Sequence, residues 1–442
     1  MPRALPVVLL AVGFAPALAA DNWPQFRGPA GDGRADTASV PTRWAETENV
    51  RWKTATHGKG WSSPVVWGDQ VWVTTADEVD GGRTVKTPTA PGQRGSVERV
   101  TFFAVCVDRK TGKVVHDVKL ATEDNPAFCI PFNSYASPTP AVEEGRVYAH
   151  FGAHGTWCID TATGKPVWER RDLKCDHFRG PASSPVIYKN LLILIFDGYD
   201  VQYVVALDKA TGQPVWKKDR NIPYKTDNGD YKKAYATAQV FEVNGKAELV
   251  CPSAEQTIAY DPRTGDELWR VTHEPQRTMN NGSRPVAGHG LYFLLSGYPA
   301  ELFAVKQGVS GGVGKSAVAW RLNKAVPTRP SLLLVGDYLF LVSDGGIASC
   351  VDAKTGKVRW SERLDGEFSA SPVYASGNVY FCNQNGKTFV VAARPEFNLV
   401  AENRVDVDAS VPSPKGFMAS PAIAGDDLFL RTRTHLYCIG KK

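Results

Sequence analysis

The sequence predicts an all-β fold, an eight-bladed β-propeller whose last blade is completed by a strand from the N-terminus. Three observations lead there. The composition favours turns and aromatics over helix, with 40 Gly, 30 Pro and 12 Trp against 3 Met. A phrase of nine residues, Asp-x-x-Thr-Gly-x-x-x-Trp, recurs along the chain. Eight segments begin as blades, and the last of them runs out of chain one strand short.

The repeated phrase occupies Asp160–Trp168, Asp208–Trp216, Asp261–Trp269 and Asp352–Trp360, and a fifth copy, Asp108–His116, ends in His. From Asp108 the copies are spaced by 52, 48 and 53 residues and then by 91, which is two periods; the skipped copy is the lengthened turn ending at Trp320. Periods of this size signal repeat architectures. Thr-Gly between apolar runs reads as a hairpin turn, with Gly supplying a positive φ, and the Trp that follows offers apolar surface to a neighbouring unit. Blade starts fall at Pro64, Pro140, Pro185, Gln239, Pro285, Ser331, Pro372 and Pro421. Each of the first seven is followed by four short strands, the content of a propeller blade. The final unit, Ser420–Gly440, has three strands, and Asn49–Lys53 resembles the missing fourth. Placed there, it closes the ring and removes an open edge.

Residues 1–20 carry one Arg, an apolar run and Ala17-Leu18-Ala19, the pattern of a cleaved secretory signal. The chain is therefore expected to be exported, to the periplasm or beyond the cell, with 1–20 a signal peptide, 21–47 an N-terminal extension and 48–442 the propeller. No later stretch has the length of a membrane span. With Lys+Arg 51 against Asp+Glu 46, the net +5 is too small and scattered to argue for nucleic acid. A monomer is expected.

The repeats resemble the tryptophan-docking units of the pyrroloquinoline-quinone (PQQ) propeller superfamily, which includes quinoprotein alcohol dehydrogenases and BamB-type outer-membrane assembly lipoproteins. Trp23-Pro24-Gln25-Phe26-Arg27-Gly28-Pro29, followed by Gly31-Asp32-Gly33, is similar to the opening of exported PQQ-like repeat proteins. The likeness spans about residues 48–440 and implies the fold; function is carried by sites grafted onto it. For a dehydrogenase it implies Ca²⁺ with acidic and amide ligands, an Asp base and a disulfide between adjacent cysteines. The chain has no Cys-Cys pair, no residue matching the Ca²⁺ ligands and no Cys-x-x-Cys-His for haem. PQQ with Ca²⁺ stays as the alternative cofactor, and no metal site is assigned.

Of the eight cysteines, Cys106, Cys158, Cys350 and Cys438 share one repeat position that Ala206 and Ala259 also occupy, so they read as small core residues. Cys129 and Cys175 lie in successive loops leading into blades and are the candidate disulfide. Cys251 and Cys382 read as core or rim. Gly311–Ser316 mimics a phosphate loop, but the required first glycine is Val309, so a flexible insertion is expected. His150, His154 and Cys158 have loose metal spacing and read as structural. Asp77–Glu98 lengthens the first blade and reads as a mobile loop over the same face or rim.

In a propeller, the loops entering each blade and those joining its second and third strands meet around the channel mouth. The first set supplies Lys59, Trp61, Asn133, Tyr135, His177, Phe178, Arg179, Tyr235, Asn280, Asn281, Arg284, Arg329, Phe417 and Met418. The second supplies His154, Asp197, Tyr199, Asp200, Glu255, Gln256, Asp344, Asn383, Gln384, Asn385, Arg431 and Arg433. Of these, Asn133, Tyr135, His154, His177, Arg179, Asp197, Tyr235, Asn281, Arg284, Arg329, Asp344 and Arg433 are the ligand-face candidates. Aromatics with Arg, Asn and His suit a ligand with polar and anionic groups, such as a quinone, a glycan or an extended peptide. The sequence thus favours a non-enzymatic exported propeller that binds a protein, small molecule or glycan. A PQQ-dependent oxidoreductase and a carbohydrate-binding propeller are the alternatives.

Overall fold

The computed structural model describes residues 21–36, 38–86, 93–274, 278–407 and 416–441. Eight sheets built on four-stranded antiparallel meanders follow one another, and inner strands of adjacent sheets touch around a central channel. The third blade is typical: Val186–Tyr188, Leu191–Asp197, Gln202–Asp208 and Pro214–Asp219 run from channel to rim. Its second strand is buried at all seven positions because blades cover both faces, which is why it reads as an unbroken apolar run. Its rim strand buries Trp216 alone.

The nine-residue phrase joins one blade to the next. Asp208 Oδ1 accepts the Thr211 N–H (2.9 Å) and hydroxyl (2.8 Å), closing the turn. The same two bonds recur at Asp108–Thr111, Asp160–Thr163 and Asp352–Thr355. Bonds from the threonine hold Asp108, Asp160 and Asp208 below the usual carboxylate range. At Trp168, Trp216 and Trp320 the indole lies on the Gly of the next blade's turn and donates its N–H there, whereas Trp269 donates to Glu248 of its own blade. Trp168 reaches Lys209 O (3.0 Å), Trp216 reaches Pro262 O (3.1 Å) and Trp320 reaches Ala353 O (3.0 Å). Gly212 is therefore required twice over: its φ is +73°, and a Cβ there would stand 2.8 Å from the Trp168 ring. Beneath each indole, the third strand places a small residue directly opposite: Cys158 for Trp168, Ala206 for Trp216, Cys350 for Trp360. This register explains why Cys and Ala interchange. In the fifth copy, His116 substitutes for Trp, stacking on Trp72 at 5.8 Å and meeting Thr161 O at 3.2 Å.

The eighth blade closes as expected. Val50–Ala55 pairs antiparallel with His435–Ile439, Trp52 opposite Cys438, and Trp52 donates to Arg109 O of the first blade at 2.8 Å. The phosphate-loop mimic is not a flexible insertion. Gly311–Val313 forms a fifth, parallel strand on the rim of the fourth blade, alongside Trp269–Val271, and so covers an edge that would otherwise be open. In the first blade, the second and third strands run to ten residues each, and Arg83–Lys86 and Gln93–Ser96 form a hairpin beyond them. Residues 87–92 and the leader 1–20 lie outside the described residues.

The N-terminal extension enters the channel. Trp23 exchanges both backbone hydrogen bonds with Val66 (2.9 Å each), Pro24 O accepts from Val142 (2.8 Å) and Gly33 O accepts from Tyr374 (2.9 Å). Arg34–Ala35 then adds a parallel strand to the seventh blade. Val66, Val142 and Tyr374 belong to innermost strands, so the chain satisfies inner edges that a bare propeller leaves to water. No helix among the described residues is long and apolar enough to cross a membrane.

Candidate functional site: a plugged funnel with a hydroxyl ring

The residue two before each innermost strand is Ser63, Thr139, Ser184, Thr237, Arg284, Ser331, Ser371 and Ser420 in blade order. These residues are linked around the channel. Each backbone N–H donates to the hydroxyl of the next blade at 2.8–3.0 Å: Ser63 to Thr139, Thr139 to Ser184, Ser184 to Thr237. The chain resumes from Arg284 to Ser331, Ser371 and Ser420, and returns to Ser63. Seven of eight links are made, and the gap falls where the fifth blade has Arg284 in place of a hydroxyl. Seven oxygens are thereby fixed as acceptors, and none of their hydroxyl protons has a protein acceptor among the described residues.

Arg284 uses the gap to hold the plug. Its guanidinium donates to Phe26 O, to Gln25 Oε1 (3.2 Å) and to Ala238 O (3.1 Å). Arg27, on the plug itself, donates back to Leu332 O (2.6 Å), Asp32 O (2.5 Å) and Pro372 O (3.3 Å). Both side chains are buried, with no carboxylate in ion-pair reach among the described residues. Burial pulls Arg284 down to about 9, with the Arg27 charge adding to it, and pulls Arg27 down to about 10. Carbonyl dipoles from the plug and from blades four, six and seven carry the compensation.

Above the plug lies a funnel-shaped cavity of about 560 Å³ with Phe26 in its wall. Six of the seven ring hydroxyls line it, together with Trp61, Ile130, Phe132, Asn133, Arg179, Tyr235, Asn280, Tyr298, Arg329 and Met418. Neither Asp nor Glu is among the lining residues. Arg329 is aimed by Asp344, which accepts its Nε–H at 2.5 Å and the Thr328 hydroxyl at 2.9 Å. The guanidinium lies over the Phe132 ring at 4.7 Å. Arg179 is held more loosely: Asp230 is 3.6 Å from its Nη2, and its buried Nε has no hydrogen-bond partner. Asn280 Oδ1 is also buried without a partner.

The structure brings together only part of the expected set. Asn133, Arg179, Tyr235 and Arg329 line the cavity, and Asp344 stands behind Arg329. Arg284 lies at the plug. Tyr135, His154, His177, Asp197, Asn281 and Arg433 are not in the cavity wall. Tyr135 is buried with its hydroxyl on Ala127 O (2.7 Å), and His154 contacts Glu123 (3.0 Å). His177 Nε2 accepts the Ala153 N–H (3.1 Å), and Asn281 donates to Leu295 O (2.5 Å). Asp197 is locked to Arg220 at 2.7 and 2.9 Å in a buried pair. Arg433 bonds Gly416 O through its backbone (2.6 Å). His154, His177, Asp197 and Asn281 are taken up by partners on neighbouring strands and loops instead of facing the cavity. Missed were Phe26, Ile130, Phe132 and Tyr298, and the hydroxyl ring, whose signal was the Ser/Thr-Pro that opens five blades.

The candidate disulfide is not formed. Cys129 and Cys175 are free. Cys129 Sγ faces Arg179 O at 3.6 Å, whereas Cys175 Sγ faces His177 Nδ1 at 3.8 Å, so the two sulfurs have turned to different neighbours. A Ca²⁺-bound quinone fits this wall poorly, because Ca²⁺ is held by carboxylate and carbonyl oxygens. Asp344 and Asp230, outside the lining, pair with Arg329 and Arg179.

Comparison with known proteins accords with this architecture. The family model described as outer membrane protein assembly factor BamB matches residues 88–257 and 254–394. Tetrathionate hydrolase of Acidithiobacillus ferrooxidans is 23% identical over 371 residues, covering 77% of this chain and 66% of that protein. Among solved structures, quinohemoprotein alcohol dehydrogenase from Comamonas testosteroni superposes with a TM-score of 0.61 at 12% identity, covering 97% of this chain and 82% of that one. BamB from Moraxella catarrhalis gives 0.52 at 12% identity, covering 82% and 98%. At such identities the structural likeness speaks for the fold alone. The family match, extending over more than half of the chain, makes this protein a member of the BamB-type, PQQ-like β-propeller family.

Proposed function

We propose that this chain is a non-enzymatic binding propeller, exported by its apolar leader, that takes its ligand into the plugged funnel. One observation carries the reading: the cavity wall combines arginines, aromatics and hydroxyls with no carboxylate, over a floor supplied by the chain's own N-terminal segment. Such a wall can hold a ligand, but it offers neither a carboxylate base nor a Ca²⁺ donor set. The alternative, a quinone-dependent oxidoreductase, draws support from the likeness to the quinohemoprotein fold. Titrating PQQ with Ca²⁺ against tryptophan fluorescence separates them, since Trp61 lines the cavity. The binding reading expects no Ca²⁺-dependent change and no dye-linked oxidation of alcohols or sugars. A saturable Ca²⁺-dependent quench accompanied by turnover would replace it with the oxidoreductase.

A further inference from the structure

Resting on the reading of the funnel as a binding site, we propose that its ligand is a small molecule bearing an oxyanion (carboxylate, sulfonate, sulfate or phosphate), bound acid-first against the hydroxyl ring and Arg179.

The inventory of donors and acceptors points there. Each ring hydroxyl has its oxygen engaged by an inter-blade N–H. Its proton is therefore the part left to offer, and six such protons can turn into the cavity. Arg179 adds a guanidinium whose buried Nε has no hydrogen-bond partner and whose Nη2 lies 3.6 Å from Asp230. A buried donor without a partner is rare in a folded protein, and an absent ligand is one of its few explanations. Arg329, three blades round the ring, spends its Nε on Asp344 and keeps its two Nη groups, the fork that matches an oxyanion. Against these donors the wall sets no carboxylate, and Asn280 presents oxygen or nitrogen by a half-turn of its amide. The ring is also fixed in advance by its inter-blade bonds, so the hydroxyls need little reordering to meet an anion. Size settles the class of partner: about 560 Å³ is the volume of a small-molecule pocket rather than of a protein interface. The ligand's body then lies between Phe132 and Tyr298, the latter 59% exposed at the mouth.

Two dyes with one body test this. The probes are 1-anilinonaphthalene-8-sulfonate, which carries the anion, and N-phenyl-1-naphthylamine, which lacks it; both brighten in apolar surroundings. The proposal expects the sulfonate to bind at least about tenfold more tightly than the neutral dye. It also expects inorganic sulfate or phosphate to displace the sulfonate. Arg179→Gln should cost about tenfold for the sulfonate and change the affinity of the neutral dye far less, while the exposed contact with Asp230 at 3.6 Å limits its effect on the urea midpoint to a small shift. Equal affinity for the two dyes, or sulfonate binding indifferent to Arg179→Gln, would overturn the oxyanion assignment while leaving a binding funnel. No binding of either dye would remove both the assignment and the reading beneath it.

Discussion

Arg284→Met is expected to weaken the fold by about 3 kcal/mol and to release the N-terminal segment to proteases before any blade opens. The methionine keeps the length and apolar stem of the side chain but orphans Phe26 O, Gln25 Oε1 and Ala238 O, which the guanidinium now serves. A lost hydrogen bond to a charged group costs about 1.5–3 kcal/mol. Removing a charge whose burial already pulls the guanidinium down to about 9 gives part of that back. Urea unfolding and limited trypsin digestion read the two effects. If the variant unfolds with the parent and its first cuts fall within blade loops, Arg284 does not anchor the plug.

The second large effect is acid sensitivity. Burial holds His150, His177 and His273 down to about 3; His177 Nε2 accepts the Ala153 N–H, which requires a neutral ring, and His273 sits between Thr257 and Thr278 hydroxyls at 2.9 and 3.0 Å with no carboxylate among these contacts to favour its charged form. An unfolded histidine titrates near 6.5. Below that pH the unfolded chain takes up protons that the native one refuses, so stability falls as pH falls. The slope is roughly 1.4 kcal/mol per pH unit for each ring, or roughly 4 for the three. His57 behaves oppositely. Burial works to lower it, but hydrogen bonds and charges from Asp77 and Asp117 outweigh that and raise it. Its stabilisation is complete below about 6.5 and is lost as pH rises through its raised value, so it does not offset the acid slope. Urea midpoints between pH 7 and 5 should fall steeply, and His273→Asn should remove about a third of the slope. A flat profile over that range would mean that the three rings are protonated in the native state.

Local chemistry made the blade fold readable. Asp208, Thr211, Gly212 and Trp216 are neighbours in sequence and in space, so the phrase carries both its turn and its docking surface. Blade closure by Asn49–Lys53 was legible for a different reason, because a three-stranded unit leaves an edge that some strand must cover. The plug was visible as a phrase, Trp23 to Gly33, but not as a position. Its place depends on carbonyls of Ala238, Leu332 and Pro372, which meet only when the ring has closed. The hydroxyl ring escaped in the same way: Ser63 and Thr139 read as strand openers until the inter-blade bond links them. The candidate list leaned on polarity and so included Asp197 and Asn281, satisfied by their own surroundings, while passing over Phe26 and Tyr298. The strand Gly311–Val313 shows the converse, a glycine-rich stretch steadied by an edge that needed covering.

The N-terminal segment lies inside the channel and forms the floor of the funnel. Amide hydrogen exchange tests that most directly, because Val66, Val142 and Tyr374 donate to Trp23, Pro24 and Gly33 from inner edges that would otherwise face water. These three amides, with that of Trp23, should exchange only through global unfolding, as slowly as the fully buried strand Leu191–Asp197. Exchange at the rate of an unstructured chain would place the segment outside the ring and leave the channel open from end to end.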